Sequence, residues 1–179
     1  MNEPRLPHNV KEELIYGGVI CFITVIIMLT LNIGVAFGGF GKEAIKTILL
    51  LTPVIFVIAM LIEALLVGKI SAKLVEKFTE PADGFNTRIL FNILFCVTGM
   101  SAIMTIVGGM IGEGKLSMEP FITFASHWPR NFFVAFWCEM LFAQPTARKV
   151  MKLIHQNTNK GLIDESTEEN RFQTEEVLD

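Results

Sequence analysis

Charge is what this sequence has least of. No Asp, Glu, Lys or Arg occurs in residues 14–41, "LIYGGVICFITVIIMLTLNIGVAFGGFG", or in residues 89–112, "ILFNILFCVTGMSAIMTIVGGMIG". Each run exceeds the roughly 20 residues that carry a helix across a bilayer. A helix in water needs a polar face, and these two have none, which excludes a soluble helical core. No small-residue cleavage site follows the first run, so it is not expected to be a cleaved signal peptide. Other absences remove whole functions. There is no phosphate-cradling glycine loop, no nucleophile elbow, no zinc-protease helix and no nucleic-acid module. Neither an enzyme nor a nucleic-acid partner is expected, and no cofactor. There is no Cys-x-x-Cys, and three buried cysteines near a reducing compartment are not expected to pair.

What is present is apolar. The chain has 179 residues, 51% of them hydrophobic and 18% charged, with a mean hydropathy of +0.50. A soluble domain would be roughly a quarter charged. Residues 47–68 hold one charge, Glu63, and residues 121–145 hold Arg130 and Glu139. The pattern predicts four transmembrane helices.

Lysine and arginine then set an orientation. The amino-terminal segment, the central loop and the carboxy-terminal side together carry eleven of them, and the two other loops carry four. The positive-inside rule puts both termini and the central loop in the cytoplasm of a multi-pass cell-membrane protein. Trp128 is expected near the outer interface, Arg130 is expected to snorkel to phosphate there, and Arg148 and Lys149 are expected to anchor the inner one. The glycines of "GGFG" and "VGGMIGEG" are read as turns. Residues 156–179 carry seven acids against Lys160 and Arg171. Such a tail is expected to be disordered, either merely solubilising or a contact for a protein partner.

The chain also repeats itself. At an offset of 76, Pro53, Phe56, Ala59, Glu63 and Lys73 match Pro129, Phe132, Ala135, Glu139 and Lys149. At an offset of 75, Cys21, Thr30 and Gly34 match Cys96, Thr105 and Gly109. Both units enter from one side, so they are related by an axis along the membrane normal. The expected architecture is all-α: an integral membrane four-helix bundle made of two parallel-related hairpins. A cytoplasmic segment 1–12 precedes a first hairpin 13–78, a linker 79–88, a second hairpin 89–155 and the tail 156–179.

The polar residues inside the runs are the candidate site. Thr98, Ser101 and Thr105 fall on one helix face and read as a packing seam or as part of a solute path. Glu63 lies six residues before Lys69 and Glu139 nine before Arg148, roughly 9 and 13 Å deep at 1.5 Å per residue. Cys21 and Cys96 fall at about 12 Å on the same scale, and Cys138 adjoins Glu139. Two acids and three thiols thus share one layer. A carboxylate there is costly, about 2.5–3.5 kcal/mol if charged at a helix centre. Three readings stand open: structural pairing near the surface, a protonatable site coupled to a lipophilic or cationic solute, and a metal site using Cys21, Cys96 and Cys138. His8 is expected in a flexible segment, and His155 on a basic exit helix along anionic headgroups.

The stretches "MSAIMTIVGGMI" and "FITFASHWPRNFFVAFWCEMLFAQPTARKVMKLI" resemble a family of small prokaryotic membrane proteins, the domain of unknown function 2798. Its unit is a helix pair with a Trp before the second helix, an Ala-Phe within it, and a Pro with basic residues at the exit. Here these are Trp128, Ala135–Phe136, Pro145 and Arg148–Lys149. The resemblance extends over about residues 12–155. In the first half, however, Thr52 stands at the Trp position and Lys69 at the exit Pro. It implies a tandem four-helix membrane protein and carries no activity. The tandem pairs and embedded glutamate are also similar to proteobacterial antimicrobial-compound efflux proteins, by analogy alone. Two functions follow as expectations: a proton-linked transporter or exporter, or a scaffold or regulator acting through lipid or a partner. Four short-looped helices enclose little space, so a homodimer would help a transporter form its path.

Overall fold

A computed structural model describes residues 6–80, 82–113 and 117–156, and they are helical with short connections. Helix α1 spans Val10–Ala36. It starts where Asn9 caps it, the side chain accepting from the Glu12 backbone N–H at 2.9 Å. It ends at a turn in which Gly38 and Gly39 take φ of 66° and 150°, conformations that a side chain would strain. Helix α2 spans Lys42–Ile62, passes through a π-helical turn Glu63–Val67, and continues as α3, Gly68–Phe78. Helix α4 is Phe85–Glu113. A single turn, α5, Glu119–Ile122, leads into α6, Phe124–Cys138. A second π turn, Glu139–Ala143, leads into α7, residues 144–156.

Three of these helical runs are long and apolar enough to cross a membrane: Val10–Ala36, Lys42–Phe78 and Asn86–Gly112. The protein is accordingly read as a membrane protein. In the most apolar window of each, between 11% and 17% of residues are buried by the rest of the chain. Others, including Leu49, Leu50 and Leu65, point outward as lipid-facing side chains do. The fourth expected span, 121–145, is helical but interrupted at Thr123. His127, Arg130, Asn131, Glu139 and Gln144 dilute its apolar character, so length and composition alone do not select it. The acidic tail beyond Gln156 lies outside the described residues.

Packing follows small side chains. Helix α1 lies against α2, α4 lies against α6, and α1 also meets α6 and the second π turn. Ala59 sits with Val25 and Ile55 between α1 and α2, and Ala135 sits with Ile93 and Val97 between α4 and α6. Alanine lets membrane helices approach closely, which supplies dispersion contacts where lipid removes any hydrophobic drive. Ile93, Val97, Ser101 and Thr105 form an i, i+4 row turned towards α6. Ala143, at the end of the second π turn, forms a similar row with Ala147 and Met151 of α7, none with exposed surface. The basic exit therefore packs one face into the protein and leaves Lys149 and Lys152 exposed on another.

Candidate functional site

The two acids open the two π turns. The Gly68 N–H donates to the Glu63 carbonyl, and the Gln144 N–H donates to the Glu139 carbonyl. A π turn closes i to i+5, so residues five apart come to the same side of the helix. In the second turn that residue is Gln144, whose amide donates to Glu139 Oε1 at 3.3 Å. In the first it is Gly68, which has no side chain to offer. A Cβ there would lie 2.9 Å from the Glu63 carbonyl oxygen, so the close approach suits glycine. Glu63 finds its partner elsewhere: the Cys96 thiol of α4 lies 3.3 Å from both of its carboxylate oxygens and donates to them.

Burial separates the acids further. Glu139 is 6% exposed, while Glu63 is half-buried. They lie within electrostatic reach of each other, and both act on Cys96 and on Cys21. Glu63, Glu139, Cys21 and Cys96 thus share one region. Cys138 is buried beside Thr24 of α1 and within electrostatic reach of Glu139. Cys21, Cys96 and Cys138 are not gathered into a metal-binding group; among the described residues the group that converges is His8, Glu12 and His155.

Polar groups flank Glu139 along α6 and α7. Gln144 is buried and accepts from the Tyr16 hydroxyl at 2.6 Å. Arg148 neighbours Tyr16 and, with Gln144, Asn86 and Met140, lines a shallow groove of about 210 Å³. Towards the other end, the Asn131 amide donates to Thr105 Oγ1 at 3.1 Å. The Trp128 indole donates to Ser101 Oγ at 3.1 Å. Arg130 Nη2 donates to Asn32 Oδ1 at 2.6 Å. Arg130, expected to reach lipid phosphate, has a protein partner in Asn32, and Trp128 gives its N–H to Ser101. Thr98 returns its hydroxyl to the Leu94 carbonyl at 2.6 Å and joins no partner helix. Lys149 is exposed.

Residues 85–155 match the family described as Domain of unknown function (DUF2798). The chain is similar to this family over that stretch alone. The matched residues run through α4 to α7 and include Glu139, Gln144, Trp128, Arg130 and Arg148. The match does not reach the first hairpin, where Thr52 and Lys69 depart from the pattern. Tyr16 and Asn32, which bond to Gln144 and Arg130, come from α1 and lie outside the matched residues. No curated protein and no solved structure matches the chain.

Gln144, Tyr16, Asn32 and Asn131 were not singled out from the sequence. Two had a readable signal. Tyr16 is the chain's one tyrosine and stands in an uncharged run, and Gln144 follows Glu139 in an apolar helix. The Trp128–Ser101 contact yields a measurable prediction. A double-mutant cycle of Trp128→Phe and Ser101→Ala should return a coupling of about 0.6 kcal/mol, the membrane average for such bonds. Additive thermal shifts would show that the indole N–H has no such partner.

Proposed function

We propose that this chain is a carrier, a proton-linked transporter or exporter of a small lipophilic or cationic solute, and that Glu139 carries the proton. The observation behind this reading is a carboxylate 6% exposed in a helical interior without a lysine or arginine in ion-pair contact among the described residues. A structural acid at such a site would be paired, because an unpaired charge in hydrocarbon is strongly unfavourable. Its hydrogen-bonding neighbour is the neutral Gln144, which in turn accepts from Tyr16. Such groups let a proton be taken and released without a fixed counter-charge. Glu63 is the secondary acid of the same region.

The same proposal takes α6 and α7 as a fourth span, so that two hairpins make a four-helix bundle with both termini in the cytoplasm. Two π turns beginning 76 residues apart, each on a glutamate, support an internal duplication. Two copies of the chain would widen the path. The test is proton uptake by proteoliposomes of the full-length protein under a pH gradient, across lipophilic and cationic solutes. Solute-dependent uptake that survives removal of residues 157–179 supports the carrier. No uptake with any solute, together with a phenotype that follows the acidic tail, returns the function to a scaffold or regulator.

A further inference from the structure

The two histidines nearest the ends of the described chain look unrelated in sequence, yet they meet. His8 precedes α1 and His155 lies in the last turn of α7. Their rings stack at a centroid separation of 4.4 Å with planes 11° apart. Glu12, in the first turn of α1, lies against both. His155 Nε2 is 3.0 Å from Glu12 Oε2, and the His8 backbone N–H donates to the same oxygen at 2.7 Å. The Asn9 amide donates to Glu12 Oε1 at 2.7 Å. Ligand atoms of His8, Glu12 and His155 all lie within 4.8 Å of one another.

We propose that His8, Glu12 and His155 form a binding site for one divalent first-row transition ion, with Zn²⁺ the best match to the ligand set. Two imidazoles and a carboxylate are a recurrent zinc set that leaves a fourth position for water. Tetrahedral bonds of about 2.0–2.1 Å place neighbouring ligand atoms roughly 3.3 Å apart. The His155–Glu12 separation is close to that already, and the ion would replace the proton they share. The carboxylate is held in place from behind by Asn9 and the His8 backbone, as outer-shell donors hold metal ligands. His8 must move most. In-plane lone pairs of parallel rings do not converge, so its ring has to tilt away from the stack. Its exposed position ahead of the helix permits that rotation. An ion so held ties the first turn of α1 to the last turn of α7. It is separate from the Glu139 region and does not depend on transport.

The experiment titrates Zn²⁺ against a fluorescent chelator in the presence of full-length protein without added histidines, in phosphatidylcholine nanodiscs. One Zn²⁺ per chain is expected. His8→Gln and His155→Gln should each weaken binding by about 100-fold, the upper scale for disturbing a metal shell. His127→Gln, the chain's remaining histidine, should leave it unchanged. All three variants replace side chains that are not fully buried, so folding should be retained, which size-exclusion profiles would verify. Absence of saturable binding, wild-type affinity in either the His8 or the His155 variant, or loss in the His127 variant would overturn the proposal.

Discussion

Glu139→Gln is expected to abolish solute-coupled proton uptake, lowering it by about 100-fold or more, the scale on which a lost proton-transfer group is felt. Glutamine fits the same space and still offers Gln144 a carbonyl oxygen, so the local bond is kept while the exchangeable proton is lost. The protein should therefore fold as well as before. Its thermal stability should be equal or higher, because a group that ionises in hydrocarbon is replaced by one that does not. That combination distinguishes a working acid from a structural one, which would give unchanged flux. Glu63→Gln should be milder. Glu63 is half-buried and its partner is a thiol from another helix, so Glu139 remains to carry the proton. Equal loss in the two variants would mean that the acids act as one coupled pair. Wild-type flux in Glu139→Gln would refute the carrier reading as stated.

The second large effect is on stability. Met151 has no exposed surface and is the largest side chain so enclosed among the described residues. Truncation to alanine should cost about 2–5 kcal/mol through lost contacts and the cavity left behind. At roughly 2–4 °C per kcal/mol for a chain of this length, the melting temperature should fall by about 4–20 °C. Melting in one detergent, wild type beside variant, measures it. Leu153, two residues on and 58% exposed, should change little on the same truncation. A shift below a degree in Met151→Ala would show that α7 is not docked.

The helices were readable because nothing but a long helix accommodates an uncharged run in lipid. The expected correspondence of Glu63 with Glu139 rests on proline, acid and base keeping step along both stretches; in the structure each acid opens a π turn. Contacts between distant residues were not. Tyr16 and Gln144, or Asn32 and Arg130, carry no shared pattern; only the packing of α1 on α6 and its continuation joins them. His8 was expected in a flexible segment, but His155, 147 positions away in the chain, stacks against it where the start of α1 meets the last described turn of α7. The expected outward reach of Arg130 came from its position in the run alone, with no means of seeing Asn32. The π turns have no compositional mark, since EALLV and EMLFA are ordinary helix formers.

Those turns also set a rotational phase. Each contains one residue more than an α-helix of the same height requires, and one α-helical residue is 100° of rotation. Everything beyond the turn is therefore swung around the helix axis relative to everything before it. Gln144 and the enclosed row of Ala143, Ala147 and Met151 face the protein interior because of that offset. A helix without it would present Met151 and Ala147 at a different azimuth and carry Arg148 away from Tyr16. The extra residue acts as a gear setting between the apolar shaft and its basic end, and the acid sits on the tooth where the setting is made.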